Sequence, residues 1–208
     1  MERPSSTGER DGPEMKHTTS RLLFAYWDGV RGDRAAPERA QIEPGRIRHI
    51  LADTFILGLE ADGRATFRLA GTRMCALFGR DLKGALFSDL WPADRRAEPD
   101  QLIDLVANDT VAVVAGMLGE ADLGPVVGLE LLLLPLRYGG STNRRALGAL
   151  SPSSVPPWLG LAPVHGLATR SVRVVGGNRT GSPSLPGEFG SGPSSKRRHL
   201  VVLEGGLR

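Results

Sequence analysis

Apolar residues recur along this chain with two different periods, and these periods predict where strands and helices form. Apolar and polar residues alternate in Thr54–Glu60 and in Ala65–Ala70, and Asp62-Gly63 between them suits the tight turn of a β-hairpin. Three later segments are predicted strands, Thr110–Leu118, Val126–Arg137 and Arg144–Leu150, and Leu167–Val175 is a candidate for a further one. Two strands, several helices and three strands predict an α+β fold with a five-stranded antiparallel sheet, in which short helices join the second and third strands.

Apolar residues at three- and four-residue steps predict an amphipathic N-terminal helix over Arg21–Val30. Gly29 and Gly32 limit this helix to about three turns, and a helix of that length is unstable alone in water. It must therefore dock on another surface. We expect its apolar stripe to form a homodimer interface, and the stripe consists of Leu23, Tyr26, Trp27 and Val30.

The run Leu131–Leu134 is apolar at successive positions, whereas a strand with one face in water alternates. Both faces of the sheet must therefore be covered at this point. The helices between the second and third strands can cover one face. The other face needs the N-terminal helix, a partner subunit, or both.

The central stretch Phe67–Trp91 contains a strand, a break, a short helix and a turn in close succession. The strand ends at Gly71-Thr72, where the threonine can cap a helix over Arg73–Phe78. Gly79 suits a left-handed cap at the end of that helix, and Ser88 can cap another short helix. Two more helices are predicted on either side of this stretch, Pro44–Leu51 and Pro99–Ala107.

The central residues RLAGTRMCALFGRDLKGALFSDLW resemble the strand-to-helix core of a PAS domain. Further matches are AYWDGVRGDRAAPERAQIEP near the start, then LELLLLPLRYGG and PPWLG, so the resemblance covers about three quarters of the chain, residues 21–175. The chain most resembles a bacterial family of short, stand-alone PAS proteins. This resemblance implies a PAS-like sheet and a sensory or regulatory module that passes shape changes through dimer contacts to an unidentified signalling protein.

The resemblance also implies a small-molecule pocket between the sheet and the central helices. We expect Arg68 and Arg80 at its rim, because a guanidinium can hold a ligand's carboxylate. Nothing in the sequence names the ligand or a cofactor, and the same residues can equally fill a core, which leaves a protein-interaction adaptor without a ligand. The expected apolar walls are Leu57, Phe67, Leu69, Cys75, Phe78, Trp91 and Leu131.

No catalytic group and no metal site is predicted. Cys75 lies in the first turn of a helix and is a candidate nucleophile, but no histidine or aspartate is near it in sequence. A packed thiol is the better interpretation. His49 stands beside Ile47 and Ile50 and is expected at a surface or interface, because no second histidine or carboxylate completes a metal-ligand spacing with it. We therefore expect a protein that is not an enzyme.

Charge and composition restrict the partners. The net charge of +3 equals the surplus of basic residues in the segment 176–208, so Lys196-Arg197-Arg198 indicates a solvated basic tail and not a nucleic-acid face. No apolar run is long enough to span a membrane, and the first residues lack a secretory signal. A single cysteine suits a reducing cytoplasm. Residues 1–20 and 176–208 are expected to be disordered tails, with the PAS-like domain over 21–175.

Overall fold

The computed structural model describes residues 15–108, 110–122, 126–155, 157 and 161–175. Within them the chain forms three α-helices and six strands, joined by short 3-10 turns. The helices are α1 (Thr18–Arg31), α2 (Thr72–Leu77) and α3 (Ala97–Ala107). The strands are β1 (Thr54–Leu59), β2 (Ala65–Ala70), β3 (Ala112–Ala121), β4 (Val127–Tyr138), β5 (Ser141–Pro152) and β6 (Val164–Val175).

All six strands form one antiparallel sheet in the order β2-β1-β5-β4-β3-β6. The α+β fold is confirmed, but the predicted number of five strands is wrong. β6 pairs with β3 along nearly its whole length, from Ala112↔Val175 to Ala121↔Val164. It was only a candidate in the sequence because its apolar residues do not alternate regularly.

Two hydrophobic layers lie on the two faces of the sheet. We call the face that carries α2 and α3 the inner face, and the face that carries α1 the outer face. Leu131 and Leu133 belong to the inner core, whereas Leu132 and Leu134 belong to the outer core. The prediction that both faces are covered here is therefore confirmed, and α1 of the same chain provides the outer cover.

Helix α1 is held on the outer face by apolar packing and by hydrogen bonds to β4. Leu23 and Trp27 are fully buried, and Trp27 Nε1 donates a hydrogen bond to the carbonyl oxygen of Pro135 at 2.9 Å. Glu130 is buried, and its carboxylate accepts the backbone N–H groups of Lys16 at 2.8 Å and His17 at 2.9 Å. A negative charge at this position stabilises the helix, because the N-terminus of a helix carries unsatisfied donors and a partial positive charge.

The docking of α1 corrects the predicted homodimer interface. Leu23 and Trp27 face the sheet of their own chain, so they are not available to a partner subunit. Tyr26 and Val30 are half-buried at the edge of the same packing. The apolar stripe was correctly recognised, but the sheet of the same chain covers most of it.

Local structure departs from the sequence prediction at several helix ends. Gly71, and not Thr72, stands before the first residue of α2, and a Cβ atom there would collide with the carbonyl oxygens of Leu51 and Ala52. Gly79 has a φ of 61°, as its predicted role requires. The predicted helix Pro44–Leu51 is replaced by 3-10 turns, among them Pro44–Ile47, and Ser88 lies within the 3-10 turn Phe87–Leu90.

The predicted domain boundaries lie partly outside the described residues. Helix α1 begins at Thr18, so the last residues of the segment 1–20 are helical and were wrongly assigned to a disordered tail. Residues 1–14 and the tail 176–208 lie outside the described residues, as does Trp158.

Candidate functional site

The inner face of the sheet carries a cluster of four aromatic rings beneath the helices. β1 contributes Phe55, β2 contributes Phe67, and the 3-10 turn Phe87–Leu90 brings Phe87 and the following Trp91 down onto them. The ring centroids are 5.5 Å apart for Phe55–Phe67, 5.9 Å for Phe67–Phe87 and 5.0 Å for Phe87–Trp91. These separations are those of directly packed aromatic rings.

The segment that leads into β1 is tied to helix α2 by an ion pair. Arg73 donates to both carboxylate oxygens of the buried Asp53, at 2.7 Å from Nε and 2.6 Å from Nη2. The hydrogen bonds that Arg73 donates to Asp53 raise the pKa of Arg73, since they favour its charged form. This bidentate contact fixes the start of α2 against the sheet and so places the helices over the aromatic cluster.

A cleft of about 300 Å³ opens between the β1–β2 hairpin and α3, and the buried residue Phe87 belongs to its lining. Its rim is polar, with Asp62 and Arg64 on the hairpin and Asp100 and Asp104 on the helix. The backbone N–H of Arg64, 3.1 Å from Asp62 Oδ1, and then its guanidinium, 2.7 Å from Oδ2, lower the pKa of Asp62. A second, wider groove of about 630 Å³ lies between α1 and the segment 41–46.

A family model for the PAS domain matches residues 15–151, about two thirds of the chain, and these residues include α1 and strands β1 to β5 almost to its end. The chain belongs to the PAS domain family. No curated protein matches the sequence. The resemblance to short, stand-alone PAS proteins of bacteria stays a prediction.

Membership of the PAS domain family indicates a sensory or regulatory role, since PAS domains are generally sensory modules without catalytic activity. Strand β6 lies beyond the matched residues and extends the PAS sheet at the β3 edge. Among the described residues, no group of histidine, cysteine, aspartate or glutamate side chains could hold a metal ion. No helix in the described part of the chain is both long and apolar enough to cross a membrane.

The PAS core brings most of the predicted pocket walls together, but they pack against one another. Five of them are buried in the inner core, and Cys75 is half-buried against it. A cavity that admits a ligand leaves accessible surface on its walls, whereas the buried residues here are at most 7% exposed. The five residues are Leu57, Phe67, Phe78, Trp91 and Leu131.

Three predicted site residues lie elsewhere, which corrects their assignment to the pocket. Leu69 is 46% exposed and pairs with Ile56 of the outer core, because a β-bulge between Phe67 and Leu69 interrupts the alternation of β2. Arg68 occupies this bulge and forms an ion pair with Glu60. Arg80 is exposed, and its Nη2 lies 3.4 Å from the carbonyl oxygen of Asp89.

Two aromatic residues of the site were missed in the sequence. Phe55 alternates with the predicted wall residue Leu57, so the strand period already placed both on one face. Phe87 follows a glycine-containing turn, where no period indicates the direction of the side chain. Only the packing of its 3-10 turn on the sheet brings the ring between Phe67 and Trp91.

Trp91 is the one polar element of this aromatic cluster. Its side chain is 3% exposed, and its Nε1–H finds no acceptor among the described residues. A buried donor without a partner costs about 1–3 kcal/mol, so such groups often mark a site that receives an acceptor from elsewhere.

Proposed function

We propose that this PAS domain is a non-catalytic regulatory module that acts through protein–protein contacts, with its core filled by its own aromatic side chains. Of the two functions expected from the sequence, sensing of a small molecule and adaptor function with a filled core, the packing favours the second. The observation that carries this proposal is the direct contact of Phe55, Phe67, Phe87 and Trp91 where a PAS ligand would lie. We place the protein in the cytoplasm, with an unidentified signalling protein as partner.

The second candidate function is a small-molecule sensor, and two observations support it. The indole N–H of Trp91 finds no acceptor within the described residues, and Phe87, whose ring packs on Trp91, belongs to the lining of the cleft beside α3. In this alternative, Phe87 moves aside and a ligand from the cleft provides an acceptor for Trp91.

Native mass spectrometry of the purified protein, combined with Cys75→Phe, distinguishes these functions. With a filled core we expect the mass of the polypeptide alone, and a loss of about 1–3 kcal/mol in unfolding free energy for Cys75→Phe, because the added ring overpacks the site. The variant Cys75→Ser controls for loss of the thiol. A stoichiometric additional mass that is present in the wild type and absent in Cys75→Phe would instead establish the sensor.

We also propose that the protein forms a homodimer, through the side of α1 that points away from its sheet. Leu22 is 41% exposed there, and Ala25 and Gly29 follow it at steps of three and four residues. The groove of about 630 Å³ runs along Ala25, Tyr26 and Gly29. An exposed apolar side chain beside a groove on one helix suits a symmetric contact, in which each copy contributes the same surface.

Replacing Leu22 by aspartate is expected to weaken dimerisation at least about tenfold, since it places a charge in an apolar contact. Light scattering over a concentration series measures the effect. Leu69→Asp is the matched control, because Leu69 is similarly exposed but lies on β2. A wild type that remains monomeric, or a Leu22→Asp variant as dimeric as the wild type, contradicts the proposed interface.

A further inference from the structure

A pair of arginines converges on the outer face of the sheet, over a glycine of β1. Gly58 pairs with Arg145 on β5 and with Thr66 on β2. Arg145 Nη1 and Arg68 Nε each lie 2.5 Å from the point where a Cβ atom on Gly58 would stand. Arg145 Nη1 and Arg68 Nε are therefore separated by at most twice this 2.5 Å. Both guanidinium groups can approach the strand because Gly58 has no side chain.

Within the described residues, the two guanidinium groups carry more positive charge than the carboxylates in contact with them balance. Arg68 forms an ion pair with the carboxylate of Glu60. Arg145 has no carboxylate partner among the described residues, and its guanidinium lies over the ring of Tyr138, 4.3 Å from the centroid. Two like charges this close repel each other, so an additional anion in contact with both would be stabilised.

The contacts of the arginines also orient them. Stacking on Tyr138 holds the guanidinium plane of Arg145, while Glu60 restrains Arg68. A restrained planar fork donates two parallel hydrogen bonds to carboxylate or phosphate oxygens. We propose that Arg68 and Arg145 form a second site on the outer face, which binds the phosphate or carboxylate group of a small anionic ligand.

This site is separate from the aromatic cluster, which lies on the other face of the sheet, and it does not depend on whether the inner core is filled. Binding here would link an anion to two strands that do not pair with each other, since β2 contributes Arg68, β5 contributes Arg145, and β1 with Gly58 lies between them.

Titration with inorganic phosphate, and separately with succinate, tests the site in the full chain. Ionic strength is held constant with sodium chloride, and the change in melting temperature is followed until it saturates. We expect saturable stabilisation of the wild type, with binding at least about tenfold weaker in Arg145→Gln and in Arg68→Gln, because each loses charge-assisted hydrogen bonds. Arg64→Gln is the control, since it removes one exposed positive charge from the same hairpin and should bind as the wild type does.

Gly58→Ala gives a second test that keeps every charge. Its Cβ atom would displace the ends of two flexible side chains and no backbone, so the fold should tolerate it while anion binding weakens. Saturation of the wild type by either anion supports the site and shows which group it prefers. Saturation by neither anion, or equal affinity in the wild type, Arg145→Gln and Gly58→Ala, would overturn the proposal.

Discussion

Replacing Trp27 by alanine is expected to lower the free energy of unfolding by about 3–5 kcal/mol. The indole is buried between α1 and the outer face of the sheet, and its Nε1 donates a hydrogen bond to the Pro135 carbonyl oxygen. The substitution removes the largest apolar contact of α1 and also leaves a buried carbonyl without its donor. Helix α1 consists of Thr18–Arg31 and is too short to be stable alone in water. Without the Trp27 contact, α1 should therefore detach from the sheet before the sheet itself unfolds.

Chemical denaturation followed by circular dichroism measures this effect. Arg21→Ala is the matched control on the same helix, since Arg21 is exposed and the loss of its side chain should cost less than about 1 kcal/mol. Trp27→Phe keeps a ring in the contact but removes the donor, so it should fall between the two. Equal losses for Trp27→Ala and Arg21→Ala would mean that α1 does not dock on the outer face as described.

Replacing Phe87 by alanine is expected to cost about 3–5 kcal/mol and to open a cavity in the PAS core. Its ring touches three other rings, with centroid distances of 6.1 Å to Phe55, 5.9 Å to Phe67 and 5.0 Å to Trp91. Removing the central ring of this cluster leaves its neighbours without contacts, and they cannot all move to close the space.

Adding benzene, a small apolar compound, distinguishes a filled core from a core that has room for a ligand. A cavity lined by aromatic and aliphatic side chains stays dry and can bind benzene, so benzene should raise the melting temperature of Phe87→Ala. The wild type should show no such increase. Ser88→Ala, at the neighbouring half-buried position, controls for changes in the 3-10 turn itself. A wild type that benzene stabilises as strongly as the variant would show that its core already has room for a ligand.

The confirmed predictions concern local patterns. Period-two alternation located β1 and β2, and three- and four-residue steps located α1 and α3, because side-chain direction follows directly from backbone geometry. The successive leucines of Leu131–Leu134 predicted a sheet covered on both faces, since a strand in contact with water on one side needs polar residues there.

The parts that the sequence did not predict depend on contacts between distant residues. A bulge in β2 turned Leu69 away from the expected pocket, and such an irregularity follows from the pairing of β2 with β1. Arg68, Arg145 and Gly58 lie on three different strands, so no pattern within a single segment predicts that they come together.

The sequence by itself determined the fold class, the order of its elements, the family, and the need to cover both faces of the sheet. Only the tertiary structure decided what covers the outer face and which of the expected wall residues lie together. Apolar residues such as Trp27 and Phe87 must be buried, but a sequence pattern does not specify against which surface. The surface that covers each residue is determined by shape complementarity in the folded chain, because close packing depends on all the neighbouring side chains together.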